Sequence, residues 1–189
     1  MSDQSSFNLS VAALAGRRID SKDSGKKRFP LTEAENVAKK LFQHFQNEKV
    51  KHLFCSAACG ADIIAIEVAN ELGIPCTIVI PFTRKIFKKT SVLDRPGDWG
   101  DRFDRLINTV QENNKLIQLG FNPDDVTAFS KTNSWILSNA LKSELPQKLA
   151  FVVWEGQPRG NDDFTAEFLD SAHSQGFKTK SILTIREKK

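Results

Sequence analysis

Residues 53–82 read LFCSAACGADIIAIEVANELGIPCTIVIPF, and the fold can be argued outward from them. The run opens apolar, tightens into small residues at Ser56, Ala57, Ala58 and Gly60, and then takes helical spacing. Ile63, Ile66, Glu67 and Asn70 are spaced to share faces of a helix over 62–72, which Gly73 and Pro75 stop. A second β-rich run over 76–81 ends at Pro81. Strand, tight turn, helix and strand in this order is the alternation from which α/β folds are wound.

The turn itself admits two readings. A helix N-terminus presents free amides and a partial positive charge, so small residues and a glycine there suit a phosphate-binding turn. The same residues also suit a merely tight turn. Asp62, as a cap, competes with phosphate for those amides, or else hydrogen-bonds ribose hydroxyls. The stretch is neither a G-x-G-x-x-G fingerprint nor a P-loop.

The alternation continues through the chain. Apolar runs at 9–15, 52–56, 76–81, 115–119, 149–154 and 179–183 read as strands, most of them continuously apolar as in a sheet buried on both faces. Helices are expected at 32–46, 62–72, 99–110, 133–145 and 164–175. The first is expected to open on a capping box of Thr32 and Glu35, with Val37, Leu41, Phe42 and Phe45 as its apolar stripe. Segments 17–30 and 83–97 read as irregular, polar or basic loops. The expectation is a Rossmann-like, doubly wound α/β fold: a mostly parallel sheet of about six strands with helices on both faces. It forms one domain over 1–189, with a short flexible start (1–7) and a basic tail (186–189).

Composition agrees with a globular chain, at 40% hydrophobic and 26% charged residues. No apolar run approaches the ~20 residues a membrane span needs. The opening MSDQSSFNLS has no basic region before a long apolar one, so no secretory signal and a cytoplasmic location are expected. Cys55, Cys59 and Cys76 form no framework, and a zinc site would need the distant His44, His52 or His173, so neither metal nor cofactor is expected. The net charge of +4 is unevenly spread, with basic clusters at Lys22, Lys26, Lys27 and Arg28, at Arg84, Lys85, Lys88 and Lys89, and in the terminal IREKK. Such clusters attract phosphate-bearing ligands or nucleic acid, or simply face solvent.

In an open α/β sheet the ligand crevice lies outside the carboxyl ends of the strands. Those ends read AGRRID (15–20), CSAACGAD (55–62), PFTRKIF (81–87), LG (119–120) and WEGQPRGNDDFTAEF (154–168). Gly16 allows a close turn, and Arg17 or Arg18 could fork onto a phosphate. Pro81 and Phe82 end the third strand. Gly156 belongs to a turn-rich loop, after which Asp162 or Asp163 caps a helix containing Thr165 and Glu167.

GRRID, Arg28-Phe29-Pro30, the 53–82 stretch with IPF, TSV (90–92), DWGDRF (98–103), NSWIL (133–137) and VVWEGQP with TAEF (152–168) together resemble the SLOG superfamily. This is the Rossmann-like group named for the SMF core of DNA-processing proteins and the lysine-decarboxylase-like LOG phosphoribohydrolases. The resemblance spans roughly residues 11–185 and is nearest to SLOG domains of bacterial signalling and antiphage conflict systems. It implies binding of nucleotides or nucleotide-derived signals of ADP-ribose or cyclic type, and a possible homodimer. By position it puts Gly16 and Arg17 beside the ligand, and Ser56, Ala57, Gly60 and Asp62 at the phosphate or ribose turn. Glu67 is the acid of that helix, Ser91 and Arg102 fall in matching motifs, and Thr165 and Glu167 end the threonine-containing motif. The chain departs from the family at Asp162-Asp163, where relatives carry Gly-Gly, and at GRRID, where relatives carry Gly-His-x-x-Asp. The full phosphoribohydrolase signature is absent.

Three functional readings follow. The first is a nucleotide-signal sensor. The second is an enzyme acting on an N-glycosidic bond, with Glu67 or Asp62 as general base or as stabiliser of an oxocarbenium-like centre, unless Glu67 merely pairs with Arg17 or Arg102. The third, less favoured, is a single-strand nucleic-acid binder using the 84–89 basic cluster with Phe82 and Phe87. The apolar side of TNSWILSNALKSEL (132–145), at Trp135, Ile136, Leu137 and Leu141, is a plausible dimer face.

Overall fold

The computed structural model describes residues 8–108, 115–160 and 162–185. The expected flexible start (1–7), the basic tail (186–189) and the helix end expected at 110 lie outside the described residues. One sheet contains β1 (Ser10–Gly16), β2 (Val50–Cys55), β3 (Cys76–Ile80), β4 (Lys115–Gln118), β5 (Gln147–Trp154) and β6 (Lys178–Leu183). Its order is β4-β3-β2-β1-β5-β6, and every neighbouring pair is parallel. The continuous apolar runs are the inner strands: β3 is buried throughout and β1 nearly so, since helices cover both faces. The edge strands carry exposed Lys115, Gln118 and Lys178, polar groups that discourage pairing with another sheet.

Among the described residues six helices flank the sheet: α1 (Ala34–Asn47), α2 (Ala61–Glu71), α3 (Arg84–Ser91), α4 (Trp99–Asn108), α5 (Ala128–Leu141) and α6 (Phe164–Ser174). Leu14, Leu53, Ile78 and Phe151 pack on one face with Leu41, Ile63, Phe87 and Phe103 from α1 to α4. On the other face, Val11, Ala13, Val79 and Val152 meet Ile136 and Leu137 of α5 and Phe168 of α6. Among the described residues no helix is long and apolar enough to cross a membrane.

Two expectations need correction. The capping box does not form: a 3-10 turn at Leu31–Glu33 precedes α1, no side chain caps either start, and Glu35 pairs with Lys39 instead. Segment 83–97 is not wholly irregular, because α3 occupies its first half. That helix buries only Phe87 and Ser91, too few positions to show a stripe. The apolar side of α5 is already used: Ile136 and Leu137 are fully buried, and Trp135 and Leu141 pack against the same core. Trp135 and Leu141 remain partly buried.

Topology fixes where a ligand crevice can open. From β1 the chain steps outward through β2, β3 and β4, then returns so that β5 lies on the other flank of β1. Connections leave β1 and β5 in opposite directions, and the gap between them at the carboxyl ends is the switch point.

Candidate functional site

A cleft of about 540 Å³ lies at those strand ends, lined by the loop after β1, the β2–α2 turn, Phe82, the end of α3, the starts of α5 and α6, and Arg159. That volume suits a nucleotide-sized molecule. Two glycines make the close packing beneath it possible. A Cβ on Gly16 would sit 2.5 Å from the Ala61 Cβ and 2.7 Å from the Val153 carbonyl oxygen. Gly60, at φ 98°, would drive a Cβ to 2.8 Å from both the Arg17 carbonyl oxygen and the Ile19 nitrogen. Both glycines thus hold α2 against the loop after β1.

The turn amides are largely occupied by the protein itself. Ala61 N–H donates to the Arg17 carbonyl (3.1 Å), Cys59 N–H to the Ser91 carbonyl (3.0 Å) and Ile63 N–H to the Ala58 carbonyl (3.3 Å). Ala58 N–H donates to Oδ2 of Asp62 (3.1 Å). Asp62 is therefore not the N-cap, which is Gly60, but a first-turn acid folded back over the turn. Asp62 is among the residues lining the cleft, although only 7% of it is exposed. Burial pushes its pKa up to about 7, against the single amide that favours the ionised form.

Arg17 is bound just as fully. Its Nε donates to Glu155 (2.6 Å), Nη1 to Asp163, and Nη2 to Asp163 (2.8 Å) and the Gln157 carbonyl (3.1 Å). Burial works against its charge, but hydrogen bonds and attraction from Asp163 and Glu155 outweigh this and raise its pKa. Asp163 caps α6, accepting from the amides of Thr165 (3.0 Å) and Ala166 (3.2 Å), and also from Arg159 N–H (2.8 Å). Although burial opposes its ionisation, Arg17 and these amides bring its pKa down to about 2. The start of α6 thus already holds an anion, supplied by the chain.

Four further arginines line the cleft. Arg18 donates to both oxygens of Asp94 (2.9 Å each), and Arg95 reaches the same carboxylate (2.9 Å). Arg28 approaches Glu155 (3.1 Å), and Arg159 lies 3.9 Å from Asp163. Aromatic rings form a second group. Phe82 meets Phe129 edge-on at 5.7 Å, Phe129 lies 5.6 Å from Phe164, and the latter two are half-buried in the cleft wall. They offer apolar ring surface of the kind a planar base packs on.

Of the residues singled out in the sequence, Gly16, Arg17, Arg18, Ser56, Asp62, Phe82, Ser91 and Thr165 line this cleft together. Asp163 stands behind them through Arg17, while Ala57 and Pro81 are buried outside the lining. Gly60 supports the floor from below. Glu67 points elsewhere: it pairs with Arg102, whose Nε donates at 2.9 Å and whose guanidinium stacks 4.0 Å from the Trp99 ring. Gly156 turns the loop at φ 91°, Asp162 is exposed, and Glu167 accepts from the Ser130 hydroxyl (2.7 Å) at an exposed position. Sequence reasoning did not single out Phe129, Phe164, Thr90, Asn133, Arg95 or Arg159 as site residues. The first helical residue after a strand-end loop is the only signal that marks Phe164. In the basic cluster of α3, Arg84 (3.0 Å) and Lys88 (2.5 Å) are held by Asp104, and Phe87 is fully buried on Phe103. That removes one ring from any base-stacking surface there. The three thiols are buried, and burial pushes Cys59 and Cys76 up to about 12. Among the described residues no group of three His, Cys, Asp or Glu side chains is arranged to hold a metal.

No protein-family model matches the chain, and no curated protein does. Among solved structures, DNA processing protein A (DprA) from Streptococcus pneumoniae is similar over 93% of this chain at 19% identity, with a TM-score of 0.57. The two share the Rossmann-like fold, and this chain spans 50% of the DprA chain's length. The Moco carrier protein from Chlamydomonas reinhardtii aligns over 93% of this chain and 90% of its own at 14% identity, with a TM-score of 0.39.

Proposed function

We propose that the cleft binds a nucleotide or nucleotide-derived small molecule, and that the chain acts as a SLOG-type sensor of such a ligand. The observation that carries this is the coincidence, at the switch point, of three kinds of group. Phe82, Phe129 and Phe164 offer ring surface for a base, the buried Asp62 lines the cavity as a partner for sugar hydroxyls, and arginines line it for phosphate. The family resemblance of the strand-end motifs supports the same reading. Thermal unfolding with ADP-ribose and with linear and cyclic adenine nucleotides tests it. A rise in midpoint that grows with ligand concentration is expected, and no rise with any of them would sink the idea.

Asp62 favours a second reading. A buried carboxyl with a pKa of about 7 suits proton transfer at neutral pH, as hydrolysis of a nucleotide N-glycosidic bond requires. On this reading Asp62, rather than Glu67, is the acid. Release of free base from a nucleoside monophosphate panel, abolished in Asp62→Asn, is the expected result. Binding of the same compounds without base release decides for the sensor.

A further inference from the structure

We propose that ligand phosphate is held by two pairs of arginine side chains, Arg18 with Arg95 and Arg28 with Arg159, and that the pairs together take a diphosphate. The identity of the rest of the ligand rests on the nucleotide reading above; the anion site stands on separate observations.

The first observation is elimination. In folds of this kind anions go to backbone amides at helix starts. Here the α2 turn donates its Ala58, Cys59, Ala61 and Ile63 amides to protein oxygens, and Asp163 occupies the α6 start. Arg17 has its donors directed at two carboxylates and a carbonyl. The positive groups that still line the cleft are Arg18, Arg28, Arg95 and Arg159.

The second is crowding of like charge. The pKa of Arg159 is lowered, by burial first; attraction to Asp163 opposes this, and repulsion from Arg17, Arg28 and Arg18 adds to it. The carboxylates nearby are shared: Asp94 serves both Arg18 and Arg95, while Glu155 and Asp163, the neighbours of Arg28 and Arg159, already hold Arg17. Guanidinium groups gathered in a partly dry cleft are stabilised by an added anion.

The third is unmet hydrogen bonding, and it falls once in each pair. The Nε donors of Arg28 and Arg95 are buried and have no hydrogen-bond acceptor among the described residues. The Arg28 Nε lies 3.1 Å from Glu155 but outside hydrogen-bonding geometry. A buried donor of this kind calls for an acceptor. A phosphoryl oxygen supplies one once the side chain turns that Nε to the cleft, and a guanidinium forks onto phosphate through two parallel bonds. Two pairs, each with one unmet donor, match two linked phosphoryl groups better than one.

Titration calorimetry with the full chain tests the anion site without assuming a base. Inorganic pyrophosphate should bind at least about tenfold more tightly than orthophosphate, a difference calorimetry resolves easily. Arg95→Gln and Arg28→Gln should each abolish that preference, with circular dichroism confirming the fold. Arg159→Lys, at a side chain 41% exposed, keeps the charge but removes the fork, and should weaken pyrophosphate more than orthophosphate. Equal affinity for the two anions, or a preference that survives these substitutions, overturns the proposal. The two readings fail separately. ADP binding that is indifferent to Arg28→Gln, Arg95→Gln and Arg159→Lys removes the arginine site and leaves the nucleotide reading. Pyrophosphate binding with no binding of adenine nucleotides does the reverse.

Discussion

The starts of α2 and α6 each follow an inner strand, each open onto the same cleft, and each place an aspartate among the first amides. They hold those aspartates in opposite states. Asp163 is buried but receives Arg17 and three backbone amides, and its pKa falls to about 2. Among the described residues Asp62 receives one amide and no cation, and burial raises its pKa to about 7. Burial opposes ionisation at both, so the partners decide the outcome. A helix start and an acid in the sequence therefore do not specify charge. One of these carboxylates is bound into the fold as an anion, and the other keeps a proton beside the cleft.

The comparison can be broken most severely at Asp163. Asp163→Ala removes the α6 cap and leaves Arg17 buried with one carboxylate fewer, and should cost about 3–5 kcal/mol in urea unfolding. Next comes Gly60→Ala, where a left-handed φ and two backbone contacts at 2.8 Å combine. A loss of roughly 2–4 kcal/mol is expected. Gly160→Ala, in the other loop, also has a positive φ (129°) but meets nothing within 4 Å, so about 1 kcal/mol should suffice. If the two glycine variants are equally damaging, the close approach of α2 to the loop after β1 is not what Gly60 secures.

The pH dependence sharpens the contrast. Asp163 has a depressed folded pKa, so its contribution is present above pH ~4 and lost as pH falls through about 2. Asp62 has a raised one, so the native state keeps a proton that the unfolded chain releases. Stability then falls as pH rises from ~4 through about 7, by roughly 2–4 kcal/mol. Asp62→Asn should flatten that slope between pH 5 and pH 8, and an unchanged slope would assign it to another group. The smallest effect is expected at Glu67→Gln. Its partner Arg102 is stacked on Trp99 in either case, and the pair is partly exposed, so the loss should stay below about 1 kcal/mol with ligand affinity unchanged.

The inner strands β1, β3 and β5 were legible because their runs are strongly apolar, and the parallel pairing follows from the alternation with helices. The α3 helix was not, since RKIFKKTS shows its apolar side at too few positions. The thirty-residue neighbourhood of a motif also says nothing of Arg17's partners, which lie 138 and 146 positions away. Reading GRRID alone makes that arginine a phosphate fork, whereas distant carboxylates make it a clasp between two loops. Phe129 and Arg95 escaped for the same reason: each belongs to no strand end, and only the return of α5 and of the loop after α3 brings them to the cleft.

Those long separations have a kinetic side. β1 lies at the centre of the sheet, yet one of its two neighbours, β5, is made more than a hundred residues later. A chain emerging from its N-terminus can assemble β1 to β4 with α2, and so can present Asp62 and Phe82, while Arg17 still lacks Glu155 and Asp163. Closing that loop is a late, slow and entropically costly event. A ligand that needs Phe164 and Arg159 finds no site until it has happened. Such a ligand should leave the early collapse untouched and act on the reverse step, holding β5 against β1 and slowing the opening of the finished molecule.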